Sequence, residues 1–539
     1  MMRRLAAACL LALAPSPALA GYIGPAWIKV PQVKGDAAPA PYRGWVRSEA
    51  HYWTQKPPRN PIRGISGKES GLVFTGARAP MSGPSLLALS IDKASSALPG
   101  LMELCRKGER LPELVFAESA ELARHPQEHG PRPRDVPAFY EYALRDVRLT
   151  CPVAEGAPEQ AFGLHFAAIE RRNHAAQAAP RPITAEPARL AKGAAKGASR
   201  AFVVSWFAPI ADAHEAQCPA MNRKPTQDEY FALMPPERAA AQRAALAKSG
   251  GANTVVLPYR GPDEMNVILL PGIVADPGHI APVADVVRGF DLDGRAGEGG
   301  FVSPDGRKGI DNQLFQVFGC VEGWRRNGFL PMIGNELRRA GGLSIMVEVS
   351  GIDDARNDDE VFVTLLYSVD PIRRDGSSKL VLSDYTFRVN DNPEFSQDFA
   401  RFRGRMVDGV IMTDPLEPVT MHEGPTSTWS LAQARMRVEF TSDGGMRATL
   451  GGYRDWRALL ATAFLQASDY ENTIGFTAPG MYNAVRRAAD GLRDPLTGQF
   501  NGPSAAYEME GVPAFIPPEQ HRALARGGAF GAGGTARRR

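Results

Sequence analysis

Residues Leu86 to Gly108, LLALSIDKASSALPGLMELCRKG, constrain the fold more than any other stretch of this chain. An apolar run meets a polar break at Ser95 and Ser96, then a short helix-forming stretch, then a glycine. That order predicts a strand passing directly into a short helix that stops at Gly108, where glycine enters the left-handed cap conformation without steric cost.

Three further blocks flank it in a consistent order. AWIKVPQVKGD (Ala26 to Asp36) reads as an opening strand and turn, FYEYALRDVRLT (Phe139 to Thr150) as a long strand, and FGLHFAAIE (Phe162 to Glu170) as an alternating closing strand. Together, from about Gly21 to Ile169, the four blocks resemble the haemolysin-coregulated protein (Hcp) family, the tube subunits of type VI secretion systems. The resemblance implies a β-barrel carrying a short helix. It also implies self-association, since barrels of that family form hexameric rings through edge-strand and loop contacts. The segment from about Glu49 to Ser82 is longer than the family's corresponding loop.

Arg3 and Arg4 precede an apolar run from Leu5 to Ala14, and Ala18-Leu19-Ala20 supplies small residues at a cleavage position. Residues 1–20 therefore read as a secretory signal peptide, too short to span a bilayer, and a periplasmic or secreted protein is expected. Cys9 lies inside the apolar run, which argues against a lipoprotein anchor. Tube subunits of the family carry no such leader, so the resemblance implies the fold and leaves the tube function open. Without Arg3 and Arg4 the 62 basic residues fall to 60, against 59 acidic ones. That balance favours neither nucleic acid nor an acidic membrane surface, and no later apolar run is long enough for a transmembrane helix. The 54 glycines and 45 prolines, with short apolar runs between them, favour a mainly β architecture.

After leader removal Cys105, Cys151, Cys218 and Cys320 remain, an even number consistent with two disulfides in an oxidising compartment. The extent of the Hcp-like segment implies the pairing, Cys105 with Cys151 inside it and Cys218 with Cys320 beyond it. Free buried thiols are the alternative.

The expected order after the leader is an Hcp-like barrel at 21–173, an Ala/Pro-rich linker at 174–200, a β-rich sandwich-like domain at 201–454, a helical extension at 455–526 and a disordered glycine-rich tail at 527–539. In the larger domain, after FVVSWFAPI (Phe202 to Ile210), a helical insertion is expected at about Gln227 to Lys248. Strands are expected at Thr254 to Leu257, Met265 to Leu270, Leu343 to Val349, Val361 to Tyr367, Leu380 to Val389, Val407 to Met412 and Ala434 to Phe440. Turns of very unequal length between them suggest a sandwich or jelly roll.

Candidate chemistry is concentrated in acidic turns. GFDLDGRAGEGGFVSPDGRKGIDNQL (Gly289 to Leu314) places Asp291, Asp293, Asp305, Asp311 and Asn312 among glycine turns. Carboxylates, amides and turn carbonyls are the oxygen donors that Ca²⁺ takes, so these five are the candidate calcium ligands. They do not form an EF-hand, because Gly294 comes too early and no glutamate stands at the loop's twelfth position. A second turn, Gly351 to Glu360, carries Asp353, Asp354, Asp358 and Asp359. With their flanking strands these turns faintly resemble uncharacterised exported bacterial β-rich proteins. Ordinary Asx turn formation is the competing reading for both segments.

Catalytic signatures are weak. His125-Pro126-Gln127-Glu128-His129 matches the H-x-x-E-H string of inverted zinc peptidases, but Pro126, Gly130, Pro131 and Pro133 oppose the helix that chemistry requires. No nucleophile elbow or phosphate loop is present. His165 sits inside an alternating strand, and Asp384 and Tyr385 point to opposite faces. Trp45, Tyr52 and Trp53, and Tyr453 with Trp456, would form a sugar- or protein-binding platform if exposed, although core packing is the simpler use. The chain is thus read as an exported binding or assembly protein, a homo-oligomer through its first domain, with a protein or glycan ligand and no nucleic acid. Two readings stay open beside it: an extracellular metal-dependent hydrolase carried by the second domain, and a type VI tube subunit fused to an effector domain.

Overall fold

In the computed structural model the described residues are 20–37, 42–53, 85–119, 139–151, 156–173, 197–223, 226–232, scattered positions from 236 to 247, 270–295, 300–339, 343–368, 370–390, 399–422, 428–457, 459–460, 475–493 and 498–525. Residues 1–19 of the leader, the His125–His129 string, most of the linker, the runs at 254–257 and 265–269, and the tail lie outside them.

The protein is mainly β and divides into two compact units. The first holds β1 (Ala20–Lys29), β2 (Val46–Trp53), β3 (Ser85–Asp92), helix α1 (Leu98–Lys107), β4 (Arg110–Ser119), β5 (Phe139–Thr150), β6 (Glu159–Phe166) and β7 (Ala168–Asn173). Strand order β4-β1-β2-β3-β6-β5, with β5 returning to β4, closes a six-stranded antiparallel barrel. Leu87, Leu89 and Ile91 on β3, Leu114 and Phe116 on β4, and Tyr142 and Leu144 on β5 fill its core at every second residue. On β5 the apolar phase then slips to Val147 and Leu149, across Asp146, whose φ of 52° marks the irregularity. Gly24-Pro25 similarly breaks the β1–β2 register, because proline has no N–H for the ladder.

The opening motif folds as its pattern predicts. Strand β3 ends at Asp92, the Ser95 hydroxyl accepts from the Ala97 amide, and α1 runs from Leu98 to a left-handed Gly108 that donates to the Cys105 carbonyl. Leu101 and Leu104 pack α1 onto the barrel, and a Cys105–Cys151 disulfide (Cα–Cα 6.0 Å) ties it to the end of β5. β7 lies outside the closed ring and, among the described residues, pairs only with β5. The described residues 270–275, expected in the second domain, group with the first unit, where glycine at 272 lets the backbone pass against the Glu159 carboxyl.

The second unit contains β8 (Ala198–Pro209), β9 (Phe301–Val302), β10 (Lys308–Ile310), α2 (Gln313–Phe318), α3 (Phe329–Arg339), β11 (Ser344–Ile352), β12 (Asp358–Ser368), β13 (Tyr385–Thr386), β14 (Ala400–Val407), β15 (Val410–Thr413), β16 (Val419–His422), β17 (Thr428–Phe440), β18 (Met446–Tyr453), α4 (Ala478–Arg487), β19 (Gly491–Arg493), β20 (Phe500–Gly502), β21 (Ser504–Phe515) and α5 (Pro518–Ala525). Strands β8, β11, β12, β14, β15, β17, β18 and β21 neighbour one another in chain order, and β21 pairs back to β8. The larger β unit is therefore one antiparallel sheet closed on itself. Its connectivity is a meander rather than that of a jelly roll, because the unequal connections are insertions between neighbouring strands. Clean alternation marks β14, where Phe402 and Met406 are buried and Arg403 and Arg405 exposed.

Several local expectations are corrected. Val407 to Met412 straddles a hairpin, because Asp408 and Gly409 both adopt positive φ between β14 and β15. Of Leu380 to Val389 only Tyr385 and Thr386 form a strand; the rest makes isolated bridges and turns. Ala198–Arg200, counted with the linker, open β8. The 455–526 segment is not a helical extension throughout, for β21 within it closes the barrel; its described helical residues are 456–457, 459–460 and those of α4 and α5. A short helix at Gln227–Ala232 begins the expected insertion.

Candidate functional site

The long connection from β8 to β11 carries most of the predicted site. It is anchored by a Cys218–Cys320 disulfide (Cα–Cα 5.6 Å) and by Asn222, whose side-chain amide donates to the Ile280 and Cys320 carbonyls. Phe290 inserts against β18 at Gly451, where a Cβ would collide with its ring, so glycine is what admits the connection here. The Asp311 amide donates to the Phe290 carbonyl at 2.7 Å, which brings the Asp291–Asp293 turn beside Asp311.

Asp291, Asp293 and Asp311 thereby converge, each presenting one carboxylate oxygen within 4.8 Å of the others. Asp311 Oδ2 also accepts from the Leu292 and Asp293 amides (2.7 and 3.3 Å). Burial pushes the Asp311 carboxyl up to about 6, those two amides oppose the shift, and the charges of Asp293 and Asp291 add to it.

Sequence reasoning missed three neighbours. Asp490 accepts from the Ser504 amide and hydroxyl (2.7 and 2.6 Å); burial pushes it up to about 6, with a contribution from Asp311. Tyr453, at the end of β18, is only 4% exposed, and its ring lies so close to Gly491 that a Cβ there would overlap it. Burial, then the charges of Asp311, Asp490 and Asp293, hold its phenol well above the usual range, against Arg435. Arg435 itself donates to the carbonyls of Asp291 (2.7 Å) and Leu292 (3.3 Å). These residues sit up to two hundred positions from Asp291 in sequence, and no local motif joins them.

Asp305 and Asn312 stand apart from the cluster. Asp305 belongs to the β9–β10 turn, where it accepts from the Ser303 hydroxyl and from Arg307 Nε, and those bonds lower its pKa, the Ser303 bond most. Asn312 is the buried N-cap of α2: its Oδ1 accepts from the Phe315 amide and its Nδ2 donates to the Ile210 and Arg288 carbonyls, both at 3.0 Å. In the second acidic turn the Asp358 carboxylate accepts from the Asp353 and Asp354 amides, and Asp354 from Arg356 and Asn357, which is turn chemistry.

Of the aromatic candidates, Tyr52, Tyr453 and Trp456 are buried, and Trp456 packs edge-on against Tyr482 at 5.4 Å. Trp45 lies edge-on to Tyr42 at 4.9 Å, and Tyr42 stacks on Trp27 at 5.2 Å, so these rings serve the core. Among the described residues no helix is long and apolar enough to cross a membrane.

No family model and no curated protein matches the chain. Solved structures similar to it include one described as a type six secretion system protein (16% identity, 28% of this chain and 82% of that one, TM-score 0.17). Hcp2 from Salmonella typhimurium is similar at 10% identity over 28% of this chain and 86% of its own (TM-score 0.18). A type VI secretion system effector from Yersinia pestis is similar at 12% identity over 28% and 98% (TM-score 0.17). The solved structures to which this chain is similar thus include Hcp proteins of the type VI secretion system, each match covering less than a third of this chain.

Proposed function

We propose that this chain is an exported assembly protein that associates with copies of itself through its first unit. The observation that carries the reading is β7: a strand outside the closed barrel, paired to β5 on one side, with Ala168 and Glu170 exposed. An edge strand of this kind offers unpaired backbone groups to another chain. Two disulfides, one in each unit, support export, since such bonds persist in oxidising compartments. Size-exclusion chromatography with light scattering on the protein from Gly21 tests it. The expected result is a discrete ring-sized oligomer that Ala168→Lys dissociates without lowering the melting temperature. A monomer over the whole concentration range would overturn the reading.

A further inference from the structure

Among the described carboxylates of the second unit Glu348 is the most buried, at 1% exposed. It stands on the outside of the barrel, and register fixes that side. Glu348 of β11 pairs across to Thr364 of β12, and Thr364 to Arg401 of β14. Arg401 shares its face of β14 with the exposed Arg403 and Arg405, whereas Phe402 and Met406 point the other way, into the core. The outer face is therefore open at Arg403 and Arg405 but closed over the row Glu348, Thr364 and Arg401.

Helix α5 supplies cover at Glu348 through two neighbouring side chains. Gln520 Oε1 accepts from the Val389 amide at 2.9 Å and its Nε2 donates to the Val389 carbonyl at 3.1 Å, a clip that does not titrate. His521 Nδ1 lies 2.5 Å from Glu348 Oε1, a contact that does. The charged groups facing Glu348 are His521 from α5 and Arg401 from β14; β12 and β8 present the neutral Thr364 and Ala201, and α5's own Glu519 and Arg522 are exposed. We propose that α5 is a pH-sensitive strap, which closes over Glu348 while the His521–Glu348 pair holds its proton and lifts away as pH rises, baring the outer row Glu348, Thr364 and Arg401. Losing that proton leaves a buried carboxylate facing a neutral ring, a weaker contact than the charge-assisted one. Burial also pushes the Glu348 carboxyl above its ordinary value, against the attraction of His521 and Arg401. A group raised in the closed state takes up a proton on closing, so its contribution is complete below the ordinary carboxylate range and is lost as pH rises through the raised value. The strap belongs to the second unit and is independent of self-association.

The test uses the whole protein from Gly21 with its disulfides intact. Hydrogen exchange read by mass spectrometry, corrected for the intrinsic pH dependence of amide exchange, is compared at about pH 5.5 and about pH 8, which bracket the range where histidine changes charge. Residues 518–525 are expected to be protected at least about tenfold more at the lower pH, while β18 changes less than about twofold. His521→Gln keeps a hydrogen-bonding side chain without a titrating charge, and is expected to abolish the difference in α5. Glu348→Gln, from the other side of the contact, is expected to do the same. Equal protection of α5 at the two pH values in the parent would overturn the proposal. So would a full pH dependence retained in His521→Gln, or a parallel loss in β18, which would mean that the barrel opens rather than the strap.

Discussion

His279 shows how one residue's surroundings set a pH response. Its Nε2 donates to the Val317 carbonyl at 2.6 Å, and burial holds its pKa below the ordinary histidine value. The folded protein therefore keeps the ring neutral as pH falls past about 6.5, while the unfolded chain takes up a proton there. Stability from this group is complete above that pH and is lost progressively below it. Between pH 7 and pH 5 the urea midpoint of the second unit is expected to fall less in His279→Gln than in the parent. An equal fall in both would refute the assignment. The acidic cluster illustrates the same scale differently. The composition of the Gly289–Leu314 segment pointed to its carboxylates, but which of them converge depends on hydrogen bonds that no sequence pattern specifies. Asn312, a good oxygen donor by type, serves as the cap of α2.

At the scale of elements, legibility followed burial. Leu343 to Val349 and Val361 to Tyr367 read as strands because β11 and β12 carry short, nearly continuous apolar runs, and they are buried at successive positions. Strand β18, MRATLGGY, was unread because two glycines weaken the pattern, and Gly451 is needed to admit Phe290. Strand β21, SAAYEMEGVPAF, was hidden for a related reason: small residues and a proline depress its intrinsic β preference, while pairing on both sides holds it in the sheet. Helix α5 reaches back to the outer side of β11, where His521 Nδ1 and Glu348 Oε1 lie 2.5 Å apart and Gln520 brackets the Val389 backbone. In the first unit, α1 depends on its crosslink as well as on Leu101 and Leu104. The Cys105–Cys151 bond spans 46 positions, for which the chain-entropy model gives about 4 kcal/mol. Replacing both cysteines by alanine is expected to lower the denaturant-derived stability of the first unit by about 3–4 kcal/mol. A loss below about 1 kcal/mol would mean that strain or residual unfolded structure offsets the crosslink.

For the whole molecule, the decisive contact is the pairing of β8 with β21, which joins positions near 200 to positions near 510. Ending the chain before Ser504 removes the partner of both β8 and β18, and so opens the ring along its length. Such a truncation is expected to abolish the cooperative unfolding transition of the second unit while the first unit's remains, measured by calorimetry. A retained transition would mean that the remaining strands close without β21. What the amino-acid sequence determined by itself was local: the strand–helix–glycine motif, the mainly β character, the turn-forming aspartates and the cysteines available for crosslinking. These follow from interactions among residues a few positions apart, where backbone sterics and side-chain periodicity decide. Closure of the second sheet into a barrel, its meander order, and the meeting of Asp291, Asp293 and Asp311 belonged to the tertiary structure alone. They rest on pairings across hundreds of residues, whose register is chosen by burial of the whole apolar face rather than by any segment within it.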